Sequence, residues 1–356
     1  MIYDNWNLID PGYTQRFFIS AGIIAGLFVF IFFTRPRWKV AGYFILLVLL
    51  MRILLFGLPF SWGMYNALLT VDDIGWRQQS AVNVEYYKFF RNTGKKYLAV
   101  GSSQTYSLYQ EYSKSRHDLI VFNLAGMTPL DFYLYRDYIA AKKPEYILLF
   151  LSEFDLAKEP SLDAAKIAPA QGWDLLNKFS IYSEISHLAK TELAFKEMSV
   201  GEFFPEYKYA FIFKGLSNKL FKKNESLKVK SLYDQLHPDS NKLQKEISGI
   251  LSAMDKRCIQ YQIYFLKEFL RYCDKQGIKV VIAEGQYNPI AYTETSLRLN
   301  EVVHQELSGL VQEFRHVQFI PRAETYLLKE ADYDDSVHVN SEVAKRYVDD
   351  LLDKIK

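Results

Sequence analysis

The chain has 356 residues, and its 43 Lys and Arg nearly cancel 41 Asp and Glu to leave a net charge of +2. That balance argues against a dedicated nucleic-acid binder, which carries a basic patch and a high pI. Hydrophobic residues make up 49% of the chain and Tyr and Phe occur 26 times each, enough for a real core and for aromatic contact with membrane, sugar or lipid.

The first predicted element is a membrane anchor over 1–60. Phe17 to Phe33 is an uncharged apolar run, and with its flanks (about 17–34) it approaches the ~20 residues that cross a bilayer. A polar, acid-containing stretch precedes it and no small-residue cleavage site follows, so it does not read as a cleavable signal peptide. Arg35, Arg37 and Lys39 form a short basic loop before a second apolar stretch at about 40–60, with Arg52 inside it. This is the pattern of a transmembrane helical hairpin. The positive-inside rule places its loop in the cytoplasm and everything after about Ser61 on the extracytoplasmic side, periplasmic or external. Arg52 at membrane depth costs at least ~2.5 kcal/mol unless it snorkels or meets a partner.

Residues 61–94 read as a connector with helical character, and a βα alternation starts at 95. Apolar strands are predicted at 95–101, 118–123, 145–151, 278–285 and 316–320, with amphipathic helices between them. The alternation predicts an α/β fold over 95–356, a flavodoxin-like doubly wound parallel five-stranded sheet covered on both faces. Gly277 is a stop signal for the helix that carries Cys258 and Cys273. Those cysteines lie roughly 22 Å apart along one helix, too far for a disulfide, and are expected as two buried thiols. From about 156 to 250 the rhythm breaks, and this block reads as a largely helical insertion. Its aromatic and lysine-rich stretch 203–223 suits a solvated cap, or a face lying on lipid headgroups or shaping a substrate entrance. His117, His187, His237, His304 and His316 lack metal-ligand spacing, and no nucleotide-binding loop is present, so no metal and no cofactor are expected.

Two short motifs can carry chemistry. Gly101-Ser102-Ser103-Gln104 ends the first strand and opens a helix, at the strand end where doubly wound sheets bind ligands. There a helix N-terminus favours an adjacent oxyanion. Asp335-Ser336-Val337-His338 precedes the last helix. A serine hydroxyl needs a base, and an imidazole base needs a carboxylate to orient it; three-residue spacing in a turn can set Asp335 beside His338.

Nucleophile after the first strand and base before the last helix is the order of the SGNH/GDSL hydrolase superfamily, which the domain resembles. Ser102 stands where the family usually has its acid, and Ser103 where it has the nucleophile. Asn123-Leu124-Ala125-Gly126 looks like the second block, which implies that the Gly126 N–H joins that of Ser103 in the oxyanion hole. The third block departs: Ser152-Glu153-Phe154-Asp155 puts Phe154 where the family has an oxyanion-donating Asn. One lost donor costs roughly 10²–10³ in rate, and Asn123 and Ser152 are conceivable substitutes. Glu153, Asp155, Glu284 and Asn288, at strand ends, are weaker candidates for substrate contact.

The anchor, the GSS turn, the atypical third block and the AEGQYNP loop at 283–289 resemble a membrane-anchored group within that superfamily, the DltD and AlgJ/AlgX-type proteins. The resemblance implies acyl-ester chemistry, O-acyl transfer or O-deacylation, on a cell-envelope polysaccharide beside a membrane-bound O-acyltransferase in a bacterial-type cytoplasmic membrane. The partners it implies are that acyltransferase, an envelope glycan or acylated carrier, and the lipid bilayer. A non-catalytic scaffold or glycan-binding partner of the acyltransferase is the alternative, favoured by Phe154; a tethered peptidase would share the triad.

Overall fold

The structure, a computed structural model, describes residues 95–157, 210–221 and 256–355 and, nearer the N-terminus, 22, 25–33, 36–52, 65, 68–69 and 71–75. The described residues fall into two compact units, one drawn from 1–92 and 199–222, the other from 93–198 and 223–356.

In the second unit five strands form one sheet: β1 (Tyr97–Gly101), β2 (Leu119–Asn123), β3 (Tyr146–Leu151), β4 (Lys279–Glu284) and β5 (Val317–Ile320). Their order is β2-β1-β3-β4-β5 and every pairing is parallel. This is the doubly wound α/β fold expected from the alternation, with its switch point between β1 and β3. The central strands are buried on both faces, which is why they are continuous apolar runs instead of alternating ones.

Five long helices cover the sheet: α1 (Ser103–Ser115), α2 (Pro129–Ala141), α3 (Lys256–Lys275), α4 (Glu294–Val311) and α5 (Ser341–Asp353). Helix α1 packs against α5, and α3 packs against α2 and α4. Leu108, Tyr109, Ala344, Tyr347 and Val348 share a core with Ala99, Leu148, Phe150 and Val281 of the sheet. Tyr347 meets Phe150 edge to face at 5.9 Å, a geometry worth about 0.5–1.5 kcal/mol beyond the buried area. Between α2 and α3, Phe132 packs on Phe269, and the buried Gln262 side chain accepts the otherwise orphaned N–H of Leu130 at the α2 start. Cys258 and Cys273 are buried along α3 and form no disulfide, as their spacing predicts.

In the first unit the residues 25–33 and the helix Pro36–Arg52 meet where Ile31 lies against Gly42; a Cβ on Gly42 would come within 2.6 Å of Ile31. The expected transmembrane hairpin is not supported by the described residues. Among them no helix is long and apolar enough to cross a membrane. Pro36–Arg52 has 17 residues, about 25 Å of helix against a hydrocarbon core of about 30 Å. The remainder of both predicted spans, the Arg52 side chain and most of the connector lie outside the described residues. Of the predicted insertion the structure describes residues 156, 157 and the helix Ala210–Phe221, and that helix belongs to the first unit. There Gly215 lies against Ile74 and Leu69, and Lys219 Nζ donates to the Leu68 carbonyl.

Candidate active site

Strand β1 delivers the Gly101-Ser102-Ser103 turn to the C-terminal edge of the sheet. A Cβ on Gly101 would sit 2.1 Å from Thr105 Oγ1, so the glycine is required by the closeness of the first helical turn. Ser102 is the N-cap residue, buried and extended, and Ser103 is the first residue of α1, half-buried. Its N–H therefore has no acceptor within the helix. Gly101 also accepts the Leu124 N–H at 3.1 Å, which ties the loop after β2 to this turn. Asn123 is paired with Gly101 across the β1–β2 ladder, and Gly126 follows on a turn at φ +65°, a left-handed conformation suited to glycine.

The Asp335–His338 turn is built by the segment between β5 and α5 folding back on itself. Tyr333 and Val339 bridge antiparallel, and the Asp334 N–H donates to the His338 carbonyl at 2.8 Å. At the tip, Asp335 Oδ1 accepts the N–H groups of Val337 and His338, each at 2.8 Å. Its Oδ2 lies 2.6 Å from His338 Nδ1. Burial works to raise the Asp335 carboxyl, but the hydrogen bond and charge of His338 and the two backbone N–H groups outweigh it and hold the carboxyl below its ordinary value. With Nδ1 committed to the carboxylate, Nε2 is the ring nitrogen left to act as a base.

Two sets of contacts place this tip on the edge that carries Ser103. First, the loops after successive strands are stitched together. Asn288, after β4, donates its backbone N–H to Ser336 O at 3.0 Å and its side chain to Asp335 O at 3.3 Å. Gly285 N–H donates to Leu151 O at 2.6 Å, and Ser152 Oγ lies 3.2 Å from Gln104 Oε1, next to Ser103. Second, α1 and α5 run side by side in the same direction: Tyr109 faces Tyr347, and the Tyr112 hydroxyl donates to Asp349 at 2.5 Å. Their N-termini, Ser103 and the residues just past His338, thus open onto one edge. Among the described residues no hydrogen bond joins the Ser103 hydroxyl to the His338 ring.

The weaker sequence candidates turn inward. Asp155 accepts the Ser152 N–H at 3.0 Å and closes the short turn after β3. Glu153 is fully buried; Asn300 donates to it at 3.3 Å, Arg322 lies 3.9 Å away and the Tyr287 hydroxyl faces it. Glu284 accepts the Arg322 N–H at 2.8 Å and contacts His304 Nδ1 at 3.1 Å. Arg322 also donates to Gly285 O at 2.6 Å and Tyr292 Oη at 2.9 Å, so one guanidinium ties the loops after β4 and β5. Sequence reasoning missed Arg322, Tyr287 and the Glu284 partner His304, because each acts across many residues with no local motif. Phe154, in the expected donor position, stacks edge to face on Tyr287 at 4.6 Å and forms a half-buried apolar wall with Ile290, Tyr292 and Val337.

Strand order and the edge-held Asp–His pair define a doubly wound α/β protein with a candidate site at the carboxyl ends of its strands. No protein-family model and no curated protein matches the chain. Among solved structures it is similar to a protein assigned as an acylhydrolase from Bacteroides fragilis, 11% identical over 73% of this chain and 87% of that one, with a TM-score of 0.37. It is also similar to a protein assigned as a platelet activating factor from Streptococcus pneumoniae, 10% identical over 78% and 92%, with a TM-score of 0.39. Likeness at this distance carries no argument about chemistry; the fold class rests on the strand order and register.

Proposed function

We propose that the chain is a membrane-tethered SGNH-type protein that performs acyl-ester chemistry outside the cytoplasm, through Ser103, His338 and Asp335. The observation that carries this reading is the Asp335–His338 pair, held 2.6 Å apart on the sheet edge where β1 delivers Ser103. His338 Nε2 takes the proton as Ser103 Oγ attacks an ester carbonyl, and Asp335 stabilises the imidazolium. The N–H groups of Ser103 and Gly126 face the developing oxyanion. The acyl group then passes to a glycan hydroxyl or to water. Catalytic hydrogen bonds are often long or absent until substrate is bound, so Ser103 and His338 need meet only then.

Large apolar side chains exposed on 25–33 and Pro36–Arg52, among them Phe32, Phe33, Phe44 and Val40, support a tether in lipid. The sequence resemblance supports an envelope polysaccharide as acceptor and a membrane O-acyltransferase as partner. Phe154 favours a second reading, a non-catalytic scaffold for that acyltransferase, because it removes a donor from the oxyanion site. A fluorophosphonate probe separates the two. Covalent labelling of the full chain that disappears in Ser103→Ala and drops at least about 10³-fold in His338→Ala supports the enzyme. A folded wild-type chain that takes no label supports the scaffold.

A further inference from the structure

We propose that the side-chain amide of Gln104 is the third oxyanion donor, replacing the one that Phe154 cannot supply. The inference rests on the reading of Ser103 as nucleophile.

Gln104 follows Ser103 in the first turn of α1 and is buried, with 3% of its surface exposed. Its Oε1 lies 3.2 Å from Ser152 Oγ, on the turn after β3 where the superfamily's donor belongs. As placed, Oε1 is the end of the amide that faces Ser152, and Nε2 is buried with no acceptor among the described residues. Folded proteins rarely leave a buried amide N–H without a partner, and an active site that awaits a negative charge is one place where they do. The other groups nearby are spent. Ser152 Oγ has one proton and two acceptors in reach, Gln104 Oε1 and Asp155 Oδ2. Thr105 Oγ1 sits under Gly101, and the Phe154 ring is packed on Tyr287.

In the step proposed, the Ser103 Oγ–acyl carbon bond forms as the carbonyl π pair moves onto oxygen, and the serine proton goes to His338 Nε2. Gln104 Nε2–H, with the N–H groups of Ser103 and Gly126, holds that oxygen. On collapse the bond to the leaving alkoxide breaks and His338 returns the proton to it. With a fluorophosphonate the same donors hold the phosphoryl oxygen while Oγ displaces fluoride.

The test is the rate of fluorophosphonate labelling of the full chain. Gln104→Met, near in shape but without a donor, is expected to lower the maximal labelling rate about 10²–10³-fold with little change in the probe concentration at half-saturation. Adding Phe154→Asn, which restores a donor to the third block, should recover about tenfold or more. A Gln104→Met chain that labels within about threefold of wild type overturns the proposal and leaves the Ser103 reading intact. Should that variant fail to fold, Gln104→Leu removes the donor without adding charge, and the same thresholds apply. A wild-type chain that takes no label removes the Ser103 reading and this proposal with it.

Discussion

Glu153 is fully buried beside the Tyr287 hydroxyl, and its protonation is a property the fold imposes. Burial pushes its carboxyl above the ordinary 4.5; Tyr287, its own backbone N–H, Arg322 and Asn300 pull it back only in part. A carboxyl with a raised folded pKa binds its proton more tightly in the native state than in the unfolded chain. Folding stability therefore falls as pH climbs from about 4.5 through the raised value, and levels off above it. Glu153→Gln removes that slope while keeping an oxygen for Asn300. The expected result is a variant whose unfolding temperature gains on wild type between pH 4 and pH 8, read by thermal unfolding across that range. Parallel curves for the two proteins would show that Glu153 does not titrate in the window. Asp335 has the opposite sign: its depressed carboxyl contributes stability above its ordinary 3.8, and this is lost as pH falls through the lower folded value.

At the scale of elements, the loops after β3 and β4 touch through a glycine. A Cβ on Gly285 would lie 2.8 Å from Ser152 Cβ and 2.9 Å from both the Leu151 carbonyl carbon and the Ser152 nitrogen. Two of these neighbours are backbone and cannot swing aside. Gly285→Ala is expected to cost about 1–3 kcal/mol, or roughly 3–10 °C of unfolding temperature for a domain of this size. Gly309→Ala, late in α4 with open space around it, should instead raise the temperature by about 1–3 °C. If both substitutions move it the same way, the close approach at Gly285 is not what holds these loops.

That contact also marks what could be read in the sequence. The central strands are legible because burial on two faces demands uninterrupted apolar runs, as at Tyr146–Leu151, and Gly277 ends α3 at φ +68° as a helix-stop glycine does. The Asp335–His338 pair is legible because its geometry is local, a turn of four residues. Gly285, Arg322 and Gln104 are not. Their partners lie 30 to 169 positions away, and each residue type has an ordinary role that hides the particular one. The helix Ala210–Phe221 is another case: nothing in its composition says that Ile74 and Leu69 are its neighbours.

At the scale of the whole molecule the proposed chemistry depends on which side of a membrane the sheet lies. The cysteines make this measurable. Both are buried on α3, and burial pushes the Cys273 thiol well above its ordinary range, so neither offers the exposed thiolate that a maleimide needs. A new cysteine at Arg298 would be reactive, because that side chain is 70% exposed on α4 and its pairing with Glu294 is a surface one worth at most about 0.5 kcal/mol. In intact cells bearing the full chain, Arg298→Cys is expected to react with a membrane-impermeant maleimide before any permeabilisation, while wild type stays unlabelled. Labelling that appears only after lysis would put the sheet in the cytoplasm, away from any envelope polymer. Acyl transfer to such a polymer would then be ruled out even if Ser103 proved reactive, because nucleophile and acceptor would be separated by the bilayer.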